Sequence, residues 1–124
     1  MLTLSTLHKT WILDIDGTIL KHNGYLQGND VLLEGVKDFF EKLPKGDKVI
    51  LLTARKQEEL ESLQSFLAKE GIIYHHILCD MPLGERILVN DKKPSGLKTA
   101  FAINKERDEA FKMHTKSMKI YKGK

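Results

Sequence analysis

Cysteine is almost missing from this chain: Cys79 is the single one in 124 residues. One thiol cannot make an internal disulfide, and a chain without such a framework suits a reducing compartment, so a cytoplasmic location is expected. No apolar run approaches the roughly 20 residues needed to cross a bilayer, so no membrane association is expected. Residues 1–9 lack the charged-then-apolar order of a secretory signal, and export is not expected. There is no internal repeat and no low-complexity segment. Strong charge of one sign is also missing from most of the chain. Of the net +3, residues 105–124 carry +4 (seven Lys/Arg against three Asp/Glu), which leaves −1 for the rest. Such a basic tail suits nucleic acid or another polyanion, or is simply the solvated face of a terminal helix.

What is present is an ordinary globular balance, 41% hydrophobic and 30% charged, over a length that fits one domain spanning 1–124 with a small core. The chain is organised around Trp11-Ile12-Leu13-Asp14-Ile15-Asp16-Gly17-Thr18. Three apolar residues run into two aspartates spaced by one, then into a Gly-Thr turn, which reads as a buried strand ending at a loop. Asp14 and Asp16 lie side by side on one strand face, or are split by the turn that Gly17 permits. Carboxylates this close repel. Either a hard cation with oxygen ligands, Mg²⁺, offsets the repulsion, or one carboxyl keeps its proton and serves as a general acid. Both hold if Asp14 is a nucleophile that touches metal and Asp16 an acid/base. An Asp-rich surface turn or a calcium-loop fragment is the competing reading, and no Glu follows at EF-hand spacing.

Along the chain, residues 1–9 read as a polar lead-in and 9–15 as the first strand. Residues 19–30 are a loop by composition, beginning beside the aspartates, so His22, Asn23 and Tyr25 are within reach of a substrate. Leu32, Val36, Phe39, Phe40 and Leu43 recur at helical spacing, predicting a helix over 31–43 with Asn29 or Asp30 as N-cap. Residues 48–52 are an apolar strand ending in Thr53-Ala54-Arg55, and 57–70 an amphipathic helix closed by Gly71. Residues 72–78 make a third strand interrupted by His75 and His76, which point to opposite faces and so form a poor metal pair. Ile87-Leu88-Val89 reads as a fourth strand ending in Asn90-Asp91, 99–103 as a short fifth strand, and 106–118 as helical. Strands alternating with helices predict an α/β fold around a parallel sheet, whose strand C-termini share one edge. Asp14, Asp16, Thr53 and Asp91 then meet at one place.

That set suits phosphoryl transfer. Asp14 attacks phosphorus, Asp16 handles the proton, Thr53 and a following backbone N–H bind phosphate oxygens, and a cation from Arg86, Lys92 or Lys93 meets the transferring group. The three segments also resemble a known family. Asp14-Ile15-Asp16-Gly17-Thr18 after an apolar strand is similar to the first motif of the haloacid dehalogenase superfamily of phosphatases. Val49-Ile50-Leu51-Leu52-Thr53 resembles its second motif and Ile87-Leu88-Val89-Asn90-Asp91 its fourth. The resemblance spans residues 9–103. It implies a three-layer Rossmann-like fold, with a central parallel sheet and helices on both faces. It further implies Asp14 as nucleophile and Asp16 as acid/base. By it Mg²⁺ is held by Asp14, the Asp16 backbone carbonyl and Asp91, and phosphate by Thr53; the residues themselves add the Ala54 N–H and Lys92 as phosphate contacts. The family's basic residue corresponds best to Arg86, with Lys69 the other candidate. Where the family often has paired acids, this chain has Asn90-Asp91.

Neither 19–48 nor 54–84 has room for a cap domain, so the site is expected to be open, closed by the substrate, a small flap or a second subunit. The expected activity is Mg²⁺-dependent hydrolysis of a small phosphorylated metabolite, such as a sugar phosphate of surface-polysaccharide synthesis. A homo-oligomer would supply the lid; the tail either packs on a neighbouring subunit through Phe111, Met113, Met118 and Tyr121 or simply frays. The alternatives are a 3′-phosphatase of nucleic-acid ends, suggested by the open site and basic tail but not favoured, and a non-catalytic binding module of the same fold.

Overall fold

The apolar run ahead of Asp14 forms a strand, and its parallel partner is the run ahead of Thr53. A computed structural model describes residues 1–118. In chain order the elements are β1 (Leu2–Leu4), β2 (Thr10–Asp14), α1 (Val36–Glu41), β3 (Lys48–Leu52), α2 (Leu60–Lys69), β4 (His76–Leu78) and β5 (Thr115–Ser117). Single 3-10 turns lie at Gly24–Gln27 and Gln57–Glu59. Both sheets are parallel, and the fold is mixed α/β. The chain forms two compact units. The larger holds His8–Pro82 and Lys105–Met113; the smaller holds Met1–Leu7, Leu83–Asn104 and, among the described residues, 114–118. No helix among the described residues is long and apolar enough to cross a membrane.

The larger unit contains the sheet β2-β3-β4, with β3 in the middle. Thr10 pairs with Lys48 and Asp14 with Leu52, so the two strands end level. Leu13, Val49 and Leu51 are buried by the two-residue alternation of the strands. Asp47 fixes the entry to β2. Its buried carboxylate accepts hydrogen bonds from the Lys9 N–H (3.1 Å) and the Trp11 indole N–H (2.9 Å). Helix α2 buries Leu63 and Leu67, worth about 1.5–3 kcal/mol each. It ends in a Schellman motif: the Ile72 N–H reaches back to the Leu67 carbonyl (2.9 Å), the Gly71 N–H to that of Ala68 (3.1 Å), and Ile72 is itself buried.

The helix predicted over 31–43 is only Val36–Glu41. Upstream, the backbone is engaged elsewhere: the Lys21 N–H bonds to the Val31 carbonyl and the Leu33 N–H to that of Ile19, both at 2.9 Å. Gly35, at φ 88°, starts the helix. A side chain there would collide with the Phe111 carbonyl oxygen. Gly35→Ala is therefore expected to cost more than the ~1–2 kcal/mol of the left-handed backbone alone, read as a lower urea midpoint. A change within error would contradict the contact. Asp30 is not an N-cap; its carboxylate pairs with Arg55, as described below.

The third strand is shorter than 72–78. His75 leaves the ladder to bracket Val49, accepting from its N–H at Nδ1 (3.0 Å) and donating its own N–H to the Val49 carbonyl (2.9 Å). Residues 106–118 are not helical. Asp108 has φ 61°, and the Phe111 N–H bonds to the Glu34 carbonyl (2.7 Å) instead of to a helical turn. Phe111 is core: its ring sits 4.9 Å from that of Phe39, which meets Trp11 edge-on at 5.1 Å. It is thus not spare apolar surface for a neighbour. Tyr121 and the rest of 119–124 lie outside the described residues.

In the smaller unit, Leu2–Leu4 is a strand rather than a lead-in, pairing parallel with β5 from Leu2↔Thr115 to Leu4↔Ser117. Neither 87–89 nor 99–103 forms a strand. Ile87, Leu88 and Val89 are 85%, 55% and 89% exposed. An apolar run needs a partner element to become a buried strand, and among the described residues none pairs with it.

Candidate active site

The level ends of β2 and β3 place two loops side by side. Pairing continues one residue past the strands, with the Ile15 N–H on the Leu52 carbonyl (3.0 Å). The loop after β2 then folds tightly on one acceptor, the Ile15 carbonyl, which takes the N–H groups of Thr18, Ile19 and Leu20 at 3.2, 2.9 and 3.0 Å. Ile15, Ile19 and Leu20 are buried, and Asp14, Asp16 and Thr18 are left half-exposed between them.

Thr18 Oγ1 donates to Asp14 Oδ2 (3.0 Å). The Asp16 carboxylate is held from the other strand end. Thr53 Oγ1 donates to Oδ2 (3.1 Å), and Arg55 donates Nε to both oxygens (3.2 Å each) and Nη2 to Oδ1 (2.7 Å). The same guanidinium forks onto Asp30, with Nη1 to Oδ2 at 3.1 Å and Nη2 to Oδ1 at 2.7 Å. Its Cζ lies 4.0 Å from the Tyr25 ring centroid. The Arg55 side chain is 2% exposed, that of Asp30 7% and that of Asp16 17%. Burial alone would lower the pKa of Arg55. The hydrogen bonds from Asp30 and Asp16 and their charges outweigh it, holding Arg55 above the usual arginine value and permanently cationic.

Thr53 is fully buried, and its hydroxyl is committed on both sides: it donates to Asp16 and accepts the Arg55 N–H (3.0 Å). In this arrangement it orients Asp16, where the sequence suggested a phosphate ligand. Ala54 lies between Thr53 and Arg55, half-buried. Cys79 is close by in sequence to β4; burial and the charge of Asp80 push its thiol up, with Arg55 pulling the other way.

A second contact to the Asp14 loop comes from residues 105–108. The Gly17 carbonyl accepts from the Asp108 N–H (2.9 Å) and from Lys105 Nζ (3.3 Å), while Asp108 Oδ1 accepts the His22 N–H (2.7 Å). Gly17 has φ 86°, and a Cβ there would stand 3.2 Å from Arg107 Cγ. Two cations of the basic tail thus lie against this loop. The His22 ring Nδ1 is buried with no hydrogen-bond partner among the described residues.

The larger unit thus brings together Asp14, Asp16, Thr53 and Ala54, and adds Arg55, Asp30 and Tyr25. Arg86, Asp91 and Lys92 belong to the smaller unit, each on exposed irregular backbone. Among the described residues no group of three or more His, Cys, Asp or Glu side chains is close enough to hold a metal. Of the added residues, Arg55 carried the one sequence signal: an arginine three positions past a buried strand needs an acidic partner if it stays inside. No family model, curated protein or solved structure matches the chain.

Proposed function

We propose that this protein is a Mg²⁺-dependent phosphomonoesterase working through an aspartyl-phosphate on Asp14. The observation that carries the reading is the pair of aspartates one residue apart at the C-terminal end of β2, with Asp16 anchored by Thr53 and Arg55 from the end of β3. Ligands of parallel sheets bind at that edge. The rest of the reading is a three-layer Rossmann-like core with helices on both faces and no cap, acting in the cytoplasm.

The proposed protein ligands of Mg²⁺ are oxygens, as a hard cation requires: the Asp14 carboxylate and the Asp16 main-chain carbonyl. Asp16 contributes through its main chain because its side chain is tied to Arg55 and Thr53. A three-carboxylate cage is not needed, since Mg²⁺ retains several waters and takes substrate phosphate as ligand. When bound, it would neutralise charge on the phosphate.

An Asp14 oxygen attacks phosphorus, the ester P–O bond breaks, and the leaving alkoxide takes a proton from Asp16. Water then attacks the aspartyl-phosphate, Asp16 accepts its proton, and inorganic phosphate leaves with Asp14 restored. The Asp16 carboxylate meets Thr53 and Arg55 only as donors. They complement a carboxylate that accepts, which suits the second step. Within the larger unit, the backbone N–H of Ala54 is the proposed phosphate contact.

The proposed substrate is a small phosphorylated metabolite such as a sugar phosphate, with a second subunit or the substrate itself covering the open site. A second reading, a 3′-phosphatase of nucleic-acid ends, is favoured by Lys105 and Arg107 lying against the Asp14 loop. Hydrolysis of an aryl phosphate with and without Mg²⁺, by wild type and Asp14→Asn, tests the chemistry. Turnover of 3′-phosphorylated oligonucleotides that falls steeply with salt would select the second substrate class. Salt-insensitive turnover of sugar phosphates would select the first. Mg²⁺ binding without any turnover would point to a non-catalytic module.

A further inference from the structure

We propose that Asp30 is a positioning residue, acting through Arg55 to hold Asp16 in place for proton transfer; this rests on the phosphatase reading above. Asp16 has only a short, rotatable side chain on a loop, and what stops it turning is the guanidinium that meets both of its oxygens. A guanidinium is planar, so two fixed edges determine the whole group. Arg55 has its Nε and Nη2 edge on Asp16 and its Nη1 and Nη2 edge on Asp30, and Tyr25 lies over its face. Asp30 is the more buried of the two acids. Its position, 14 residues further along the chain than Asp16 and outside the strand-end motifs, is set by the loop that carries Tyr25. The loop therefore fixes Asp30, Asp30 fixes Arg55, and Arg55 with Thr53 fixes Asp16.

Asp30→Asn keeps the shape and one acceptor but loses the charge and the two-oxygen fork. In a pre-organised site, a displacement of about 1 Å costs on the order of 10²-fold in rate. The variant is expected to lower kcat by about that factor while KM stays within about twofold, because the interaction lost serves the reacting geometry and not substrate binding. Asp30→Glu, which restores the charge, is expected to recover part of the loss. The Arg55 Nε–H, followed by NMR, is expected to exchange slowly in wild type and faster in Asp30→Asn. If Asp30→Asn does not fold, Arg55→Lys carries the same test, since it keeps the cation and removes the fork.

An active wild type with undiminished kcat in Asp30→Asn overturns this role alone. Equal losses in Asp30→Asn and Asp30→Glu, with Arg55 exchange unchanged, also overturn it, because the effect is then one of packing. An inactive wild type overturns the phosphatase reading and this role with it.

Discussion

Replacing Arg55 by alanine is expected to destabilise the protein by about 3–5 kcal/mol, a large part of the stability of a domain this size. The loss comes from what stays behind. Asp16 and Asp30 are the guanidinium's two acidic partners, and removing it leaves two carboxylates largely out of water with no counter-charge. Tyr25 also loses the group its ring covers. A triple replacement, Arg55→Met with Asp16→Asn and Asp30→Asn, is expected to recover much of the stability while remaining inactive. It removes the unpaired charges together with the pair. Urea unfolding of the two proteins measures this. An Arg55→Ala midpoint equal to that of wild type would mean that the guanidinium is not held between the two acids.

Asp14→Asn is expected to reduce Mg²⁺-dependent phosphate release by on the order of 10³-fold or more, since the attacking atom is removed and no neighbour replaces it. Its stability is expected to stay close to that of wild type. Asparagine still offers an oxygen to the Thr18 hydroxyl, now 3.0 Å from Asp14, and the site is half-exposed. The contrast separates the two residues: Arg55 is expected to act on folding and rate together, Asp14 on rate alone. Thermal melts alongside kcat measure it. An Asp14→Asn protein with wild-type turnover would remove Asp14 from the chemistry.

The parts of the structure legible in the sequence are those whose cause is local. Strands β2 and β3 are apolar runs that end in polar residues, and both form where their runs lie. Helix α2 follows from Leu60, Leu63 and Leu67 on one face and a turn residue after them. The parts that were not legible depend on distant partners. Leu32 and Val36 have helical spacing, but the backbone of 31–33 bonds to 19–21 and Gly35 is pressed against Phe111, so the helix starts late. Ile87, Leu88 and Val89 look like a buried strand, yet strand preference is realised only against a partner, and the described residues supply none.

The site divides in the same way. The Asp14-x-Asp16 spacing and Thr53 at a strand end were readable, because register alone brings them to one edge. That Arg55 would choose Asp16, 39 residues back, and Asp30, 25 residues back, was not readable, since no local rule ties a buried arginine to a particular acid. The same holds for 105–108. Its charges look like a solvated tail, and only the fold shows the Lys105 amine and the Asp108 N–H on the Gly17 carbonyl.

Phosphorus is expected to bond to Asp14 during turnover. Wild-type protein turning over an aryl phosphate with Mg²⁺ would be quenched into borohydride, which reduces an aspartyl-phosphate to homoserine, and the residue at each position read by peptide mass spectrometry. Homoserine is expected at position 14 alone, only when substrate and Mg²⁺ are both present. Turnover without any change at position 14, or homoserine in place of Asp16, would contradict it.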